Sequence, residues 1–270
     1  MDAHQASGAW DEDPDGASIL VATGRPRHDL LVVAEPAMLT GIDEDWGSPA
    51  ARVPLSFLPG VGAPTVEGQE DALDSFDRDG LGVLVARGRT FAYEGVPARA
   101  TTALVRTVAS HVRAALFITR AASLGTVFPG RILPVSDHLN LTGQPLFPAA
   151  GLVDAAWDER LVSTLAGLDG IGRPGVVALT PGPLRTTPAE ARAIARMGAD
   201  AVVHDSVAEA MALAVRGIRV ASLVYIDSRA GRSQTDQADG ARRTGTLAAS
   251  QDRVPEAVRS AISAVLTALH

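Results

Sequence analysis

The chain has 270 residues, of which 46% are hydrophobic and 20% charged, a balance typical of a globular protein with a sizeable core. Its formal net charge of −7 argues against nonspecific binding to nucleic acid. The absence of cysteine excludes disulfides, thiolate catalysis and cysteine-ligated zinc. All 24 basic residues are arginine, so Schiff-base catalysis and a Walker-type phosphate loop are also excluded.

The amino-terminal part of the chain predicts a tail, a strand and a polar loop. Residues 1–16 are polar and acidic, which predicts a disordered tail. The apolar run 18–22 predicts a first strand, and the loop 23–27 that follows contains a glycine and two arginines. This loop is either an anion site or a solvated turn.

The remainder, up to residue 270, predicts one mixed α/β domain of three layers, without repeats or linker runs. Further strands are predicted at 81–86, 114–119 and 131–135, and helices at 101–112 and 155–166. Residues 229–249 are polar and glycine-rich, which predicts a mobile loop. An amphipathic helix is predicted at 255–269, where four apolar residues form one stripe: Val258, Ile262, Val265 and Leu266.

The segment 175–227 predicts strand, helix, strand, helix and strand in succession. Two capping boxes open its helices, one formed by Thr187 with Glu190 and the other by Ser206 with Glu209. The apolar runs between them are typical of buried strands covered on both faces.

The loops of this segment are candidates for a binding site. Ligands of open α/β sheets bind at the carboxyl ends of the strands, where helix amino termini offer free N–H groups. We therefore expect loops 182–187 and 204–206 to face a common pocket, with Asp227 at the end of the third strand as a neighbour. The alternative is that they are ordinary connecting loops.

Six segments resemble the motifs of one family in order and spacing, and they are 88–95, 119–124, 136–143, 147–158, 182–187 and 198–209. The first looks like a Gly-Arg-x-His-x-Tyr-Glu-Gly motif and the third like Asp-His-x-Asn-Leu-x-Gly. Together they resemble the trimeric purine nucleoside phosphorylases and methylthioadenosine phosphorylases. The resemblance implies a three-layer phosphorylase-type fold with a central mixed sheet flanked by helices. It also implies a homotrimer that acts on a nucleoside, with phosphate as possible co-substrate and no cofactor or metal.

The resemblance implies roles in the site for several residues of this chain. Arg89 stands at the family's phosphate-binding arginine, and Tyr93 at the tyrosine beside the ribose. Arg120 and Ala121 fall in the segment that contacts the base, where Arg120 replaces an asparagine. Thr23 is the nearest remnant of the family's amino-terminal phosphate loop.

On the phosphate side the sequence departs from the family. Phe91 replaces a histidine, and His204 and Asp205 replace a methionine and a phosphate-binding serine. A carboxylate within ~4–6 Å of phosphate repels it, so efficient phosphorolysis of an ordinary purine nucleoside is not expected. On the base side, Arg185 and Thr186 replace Phe-Glu, which removes the carboxylate that holds the purine.

Three interpretations follow for a cytoplasmic protein that binds neither nucleic acid nor membrane. The first is a divergent phosphorylase, in which Asp227 delivers a proton to the leaving base and Arg185 pairs with an acidic substituent. The second is a hydrolase, in which Asp205 or His204 activates water. The third is an inactive binding or assembly module with the phosphorylase fold.

Overall fold

The structure is a computed structural model, and it describes residues 13, 15–125, 127–143, 155–182, 185–232 and 253–270. Most of the predicted tail at 1–16 and most of the predicted loop at 229–249 lie outside these residues. In the described part the helices are α1 Ala17–Thr23, α2 Pro36–Trp46, α3 Ala98–Thr101, α4 Ala103–Val108, α5 Glu159–Ala166, α6 Pro188–Arg196, α7 Val207–Ala214 and α8 Val254–Leu269. The strands are β1 Leu30–Val33, β2 Ala51–Val53, β3 Leu73–Arg78, β4 Leu81–Ala86, β5 Ala114–Ser123, β6 Ile132–Asn140, β7 Gly175–Leu179, β8 Ala201–Val203 and β9 Arg219–Arg229.

The strands form one mixed sheet in the order β2-β3-β4-β1-β5-β8-β7-β6-β9, and β9 also pairs with β5. Five strands, β5 to β9, therefore close into a ring, from which β1 to β4 extend. Strands β1, β4, β5 and β9 run parallel, whereas β8 runs antiparallel to β5. The predicted mixed sheet with flanking helices is confirmed.

Apolar side chains cover both faces of the sheet, as alternation along β1 shows. Leu31 and Val33 join one buried cluster with apolar residues of α1, α4 and α7. Leu30 and Val32 join a second cluster with residues of α2, α5 and α8. Successive strand residues point to opposite faces, so this arrangement gives helix, sheet and helix layers.

The prediction of a strand at 18–22 is wrong, because these residues belong to helix α1. The carboxylate of Asp13 accepts hydrogen bonds from the backbone N–H groups of Ala17 and Ser18 at 3.1 and 2.9 Å. It thereby satisfies amide groups that a short helix leaves free at its start. A five-residue apolar run does not distinguish a strand from a helix by periodicity, and this cap decides for the helix.

The helix predicted at 101–112 is divided, because α3 ends at Thr101 and α4 covers only Ala103–Val108. Other predicted elements are present with shifted ends. Strands β5 and β6 extend beyond the predicted 114–119 and 131–135, because their later residues pair with β9 and β7. The helix predicted at 155–166 begins at Glu159, where the Asp158 carboxylate accepts from the Leu161 N–H at 2.9 Å. In α8 the predicted apolar stripe is buried.

The first predicted capping box is confirmed in full and the second in part. In the first, the Thr187 N–H donates to Glu190 at 2.7 Å and the Glu190 N–H donates to Thr187 at 3.3 Å. In the second, the Ser206 N–H donates to Glu209 at 3.2 Å, while the Ser206 hydroxyl has no hydrogen-bond partner among the described residues. No described helix is long and apolar enough to cross a bilayer.

Candidate active site

Arg89 lies where the parallel strands β1 and β4 end, at the edge of the sheet that their carboxyl ends form. Strands β1 and β4 end at this edge, and Arg89 follows β4 by three residues. Its Nη2 donates to the Val33 carbonyl at the end of β1, at 3.3 Å. The guanidinium lies over the Phe117 ring, 5.6 Å from the centroid. Hydrogen bonding and ring contact thus fix the orientation of a buried cation.

The antiparallel register of β8 brings Asp205 to the same edge. Ala122 pairs with Val202, so continuing β8 toward its carboxyl end places Asp205 opposite Thr119. The Thr119 hydroxyl lies 2.6 and 2.7 Å from the two carboxylate oxygens of Asp205. Its single proton is therefore directed at this carboxylate.

Arg89, Glu209 and Asp205 form a buried ion triad. Arg89 Nη1 lies 2.8 Å from Glu209 Oε2 and 3.5 Å from Asp205 Oδ2. The side chains of Arg89, Asp205 and Glu209 are 5%, 9% and 6% exposed, respectively. The arginine expected to hold an external anion is thus neutralised by two carboxylates of its own chain.

Glu209 shares the cation Arg89 with a second carboxylate, Asp205, and its pKa is raised. Burial, opposed by the attraction of Arg89 and assisted by repulsion from Asp205, raises the pKa of Glu209 to about 7. For Arg89, attraction by Glu209, Asp205 and Glu35 outweighs burial and raises the pKa. Arg89 therefore stays charged, and Glu209 is the member of the triad that gains a proton near neutral pH.

The raised pKa of Glu209 predicts a pH dependence of stability. The contribution is fully present below the unfolded value of 4.5 and is lost as pH rises through about 7, because the folded state binds the proton more tightly. We expect the unfolding free energy of the wild type to fall over this interval and that of Glu209→Gln to fall less. Urea denaturation across the interval measures both. Parallel curves for the two proteins would contradict the prediction.

A second group, of aromatic character, adjoins the triad. Tyr93 stacks on Phe91 with ring centroids 4.9 Å apart, and it meets the His204 ring edge-on at 6.3 Å. Burial, together with the negative charges of Asp205 and Glu94, raises the pKa of Tyr93 to about 12. Its hydroxyl therefore remains a hydrogen-bond donor at neutral pH.

Gly182 joins the loop after β7 to this aromatic group. Its φ of +60° is left-handed, and a Cβ there would lie 2.8 Å from Tyr93 Cδ1 and 3.3 Å from His204 Nδ1. The Thr180 hydroxyl lies 3.0 Å from the same His204 nitrogen. The structure thus brings Gly182 and His204 together, as the sequence led us to expect, and only glycine fits at this approach.

Glu35, Arg120 and Asp227 form a third group at the same edge. Arg120 Nε donates to Glu35 Oε1 at 2.5 Å, and its Nη1 lies 3.8 Å from Asp227 Oδ2. Asp227 is the extra residue of a β-bulge, because β5 pairs with Ile226 and then directly with Ser228. The bulge redirects the Asp227 side chain, which is 30% exposed, toward Arg120.

Sequence reasoning missed Glu35 and Glu209 as site residues. Glu35 stands two residues after β1, where the strand end meets the triad, and its signal was the apolar run 30–33 followed by Ala-Glu-Pro. Glu209 was recognised as a helix cap, a role that does not reveal its contact with Arg89.

Four other predicted residues lie outside these groups. Thr23 ends α1 ahead of β1, so it lies at the opposite edge of the sheet, with its hydroxyl 2.8 Å from the Ile19 carbonyl. Ala121 is buried in the apolar core. Arg185 is exposed and makes no ion pair with a described residue, and the Thr186 carbonyl accepts from the Gly231 N–H at 3.1 Å. The geometry therefore joins none of the four to Arg89.

A metal centre is not formed by the described residues, which contain no group of three or more His, Asp or Glu side chains arranged to hold an ion. The side chains at this edge of the sheet are instead two arginines and four carboxylates, with aromatic rings beside them. Such a set can bind an anion at an arginine, orient a polar ring-bearing ligand and stabilise a developing positive charge.

Comparison with known proteins defines the class of the molecule. Residues 79–270 match the model of the phosphorylase superfamily. The chain is 32% identical over 212 residues to a purine nucleoside phosphorylase of Mycobacterium tuberculosis, covering 77% of this chain and 79% of that protein. A purine nucleoside phosphorylase of Cellulomonas sp. is 32% identical over 221 residues, 78% of each chain.

A solved structure shares the fold. The purine nucleoside phosphorylase of Schistosoma mansoni, in complex with acetate, superposes with a TM-score of 0.71 at 19% identity, covering 91% of this chain and 94% of that one. The chain therefore belongs to the phosphorylase superfamily, and within it to the purine nucleoside phosphorylase family. The resemblance expected from the six sequence segments is confirmed.

Proposed function

We propose that the protein cleaves the N-glycosidic bond of a purine nucleoside or related N-glycoside by phosphorolysis. The observation that carries this proposal is the position of Arg89. By resemblance Arg89 stands at the family's phosphate-binding arginine, and it is buried at the edge where Tyr93 and Asp227 also lie. Family membership supports phosphate as the co-substrate.

The proposed reaction assigns a role to each group at the edge. A phosphate oxygen attacks C1′ while the C1′–N bond breaks, and the base leaves with a proton. Arg89 binds the phosphate and Tyr93 contacts the sugar, whereas Asp227, beside Arg120, delivers the proton to the leaving nitrogen. Carboxylates near the sugar stabilise the positive charge that develops at C1′ in an oxocarbenium-like transition state.

The two alternative functions are less well supported. A hydrolase would use Asp205 as a general base for water, but both oxygens of this carboxylate lie within 2.7 Å of the Thr119 hydroxyl and the side chain is 9% exposed. An inactive module does not require a buried arginine oriented at the strand ends. We also propose that the protein forms a homotrimer, acts in the cytoplasm and needs no cofactor, with support from the family alone.

The proposal predicts phosphate-dependent base release that depends on Arg89. Inosine, adenosine and methylthioadenosine would each be incubated with and without phosphate, and the free base measured. We expect Arg89→Lys to lower kcat/KM for phosphate by about tenfold to a hundredfold, because lysine keeps the charge but loses the planar fork. Arg192→Gln, on the exposed face of α6, serves as the matched control.

Other outcomes of this assay have definite meanings. If base is released without phosphate and this release is abolished in Asp205→Ala, the protein is a hydrolase and the proposed phosphorolysis is wrong. Absence of release from every nucleoside, with no ligand-induced rise in Tm, would replace it by a noncatalytic role.

A further inference from the structure

Two hydrogen-bond donors of the proposed phosphate subsite, Arg89 Nη1 and the Thr119 hydroxyl, are already engaged by carboxylates. Arg89 Nη1 contacts Glu209 at 2.8 Å and Asp205 at 3.5 Å. The single proton of the Thr119 hydroxyl points to Asp205. A phosphate placed between Arg89 and Thr119 therefore meets the lone pairs of Asp205 where it would need a donor.

Negative charge exceeds positive charge around this position. The titratable groups that interact with Asp205 are Arg89, Tyr93 and Glu209, while His204 precedes it in the chain and Glu35 acts on the same arginine. Repulsion scales with the product of the charges, so a dianion is repelled about twice as strongly as a monoanion. The subsite thus discriminates between the ionic forms of phosphate.

We infer that Asp205 determines which form of phosphate the subsite accepts: the monoanion binds, with one of its P–OH groups donating to the Asp205 carboxylate, and the dianion is rejected. This inference rests on the proposed phosphorolysis. A P–OH group supplies a donor to the Asp205 carboxylate, which accepts hydrogen bonds only, so the carboxylate becomes a partner. The buried Ser206 hydroxyl, which has no partner among the described residues, remains free to contact the phosphate.

The reaction balances with this form of phosphate. The unprotonated oxygen of the monoanion forms the new bond to C1′ as the C1′–N bond breaks with its electron pair passing to the base. Asp227 gives its proton to the base nitrogen and regains one from a P–OH group, so one P–OH proton is in effect transferred to the base. The other remains on the glycosyl phosphate and keeps its hydrogen bond to Asp205, so the overall charge is unchanged at −1.

Sulfate provides a sharp test, because it has the shape of phosphate but stays a dianion with no proton to donate. We expect sulfate not to compete with phosphate in the wild type and to compete in Asp205→Ser, whose hydroxyl can donate. We also expect Asp205→Ser to lower the KM for phosphate by about tenfold at about pH 8 and by less at about pH 6. Asp169→Ser, in an exposed turn, is the matched control.

A second variant and a binding measurement guard against misfolding. Asp205→Asn keeps the shape of the side chain without its charge, and sulfate should raise the Tm of this variant more than that of the wild type. Sulfate competition in the wild type equal to that in both variants, or a KM for phosphate unaffected by either variant, would overturn the inference. No phosphate-dependent base release from any variant would instead overturn the proposed function.

Discussion

Replacing Arg89 with methionine is expected to lower the free energy of unfolding by about 3–5 kcal/mol. The substitution leaves Glu209 and Asp205, with side chains 6% and 9% exposed, without their cation. Two uncompensated carboxylates close to one buried position repel each other and have lost their contact with water. Urea denaturation at neutral pH measures the loss.

The pH dependence of this loss tests its cause. In Arg89→Met, Glu209 loses the attraction that favours its charged form and becomes neutral more readily, so the destabilisation should shrink as pH falls toward about 5. Arg192→Met, at an exposed position of α6, should change stability little. A loss that is equal at both pH values would attribute the effect to packing against Phe117 and not to charge.

Replacing Asp74 with alanine is expected to cost about 3 kcal/mol of unfolding free energy. Asp74 is fully buried and binds two arginines, with Arg87 Nε at 2.5 Å and Arg52 Nη2 at 2.7 Å. Arg87 is itself buried and precedes Arg89 by two residues, so this network also fixes the chain that carries the anion site. Its remaining bond to Asp43, at 3.0 Å, limits the loss.

An exposed ion pair gives the matched control for this variant. Asp45 lies 3.6 Å from Arg259, and both side chains are at least 40% exposed. Asp45→Ala is therefore expected to change stability by about 0–1 kcal/mol. A similar loss in both variants, measured by the same denaturation, would contradict the assignment of Asp74 to a buried network.

The family and much of the fold are readable in the sequence because their signals are local. Thr187 and Glu190 form a capping box within four residues, and the buried stripe of α8 repeats at helical spacing. Arg89 and Tyr93 lie in one short motif that is preserved as a unit. Such patterns depend on neighbours in the chain, so they do not require knowledge of strand order.

The charge arrangement of the site depends on contacts distant in sequence. Arg89 and Glu209 are 120 residues apart, and Thr119 and Asp205 are 86 apart. Their contacts follow from the parallel and antiparallel registers of β1, β4, β5 and β8, which no local pattern specifies. The strand predicted at 18–22, whose following loop was a candidate anion site, is instead a helix, because the Asp13 carboxylate binds its first amide groups.

The sequence by itself determined the family, the alternation of helices and strands, and the arginine and tyrosine around which a site is built. Tertiary structure alone decided that Glu209 and Asp205 neutralise this arginine, that Glu35 pairs with Arg120, and that a bulge directs Asp227 toward Arg120. The physical reason is that the type of each side chain can be read directly from the sequence, whereas its electrostatic surroundings cannot. The local electrostatic field depends on which strand ends converge, and that is fixed only when the sheet forms.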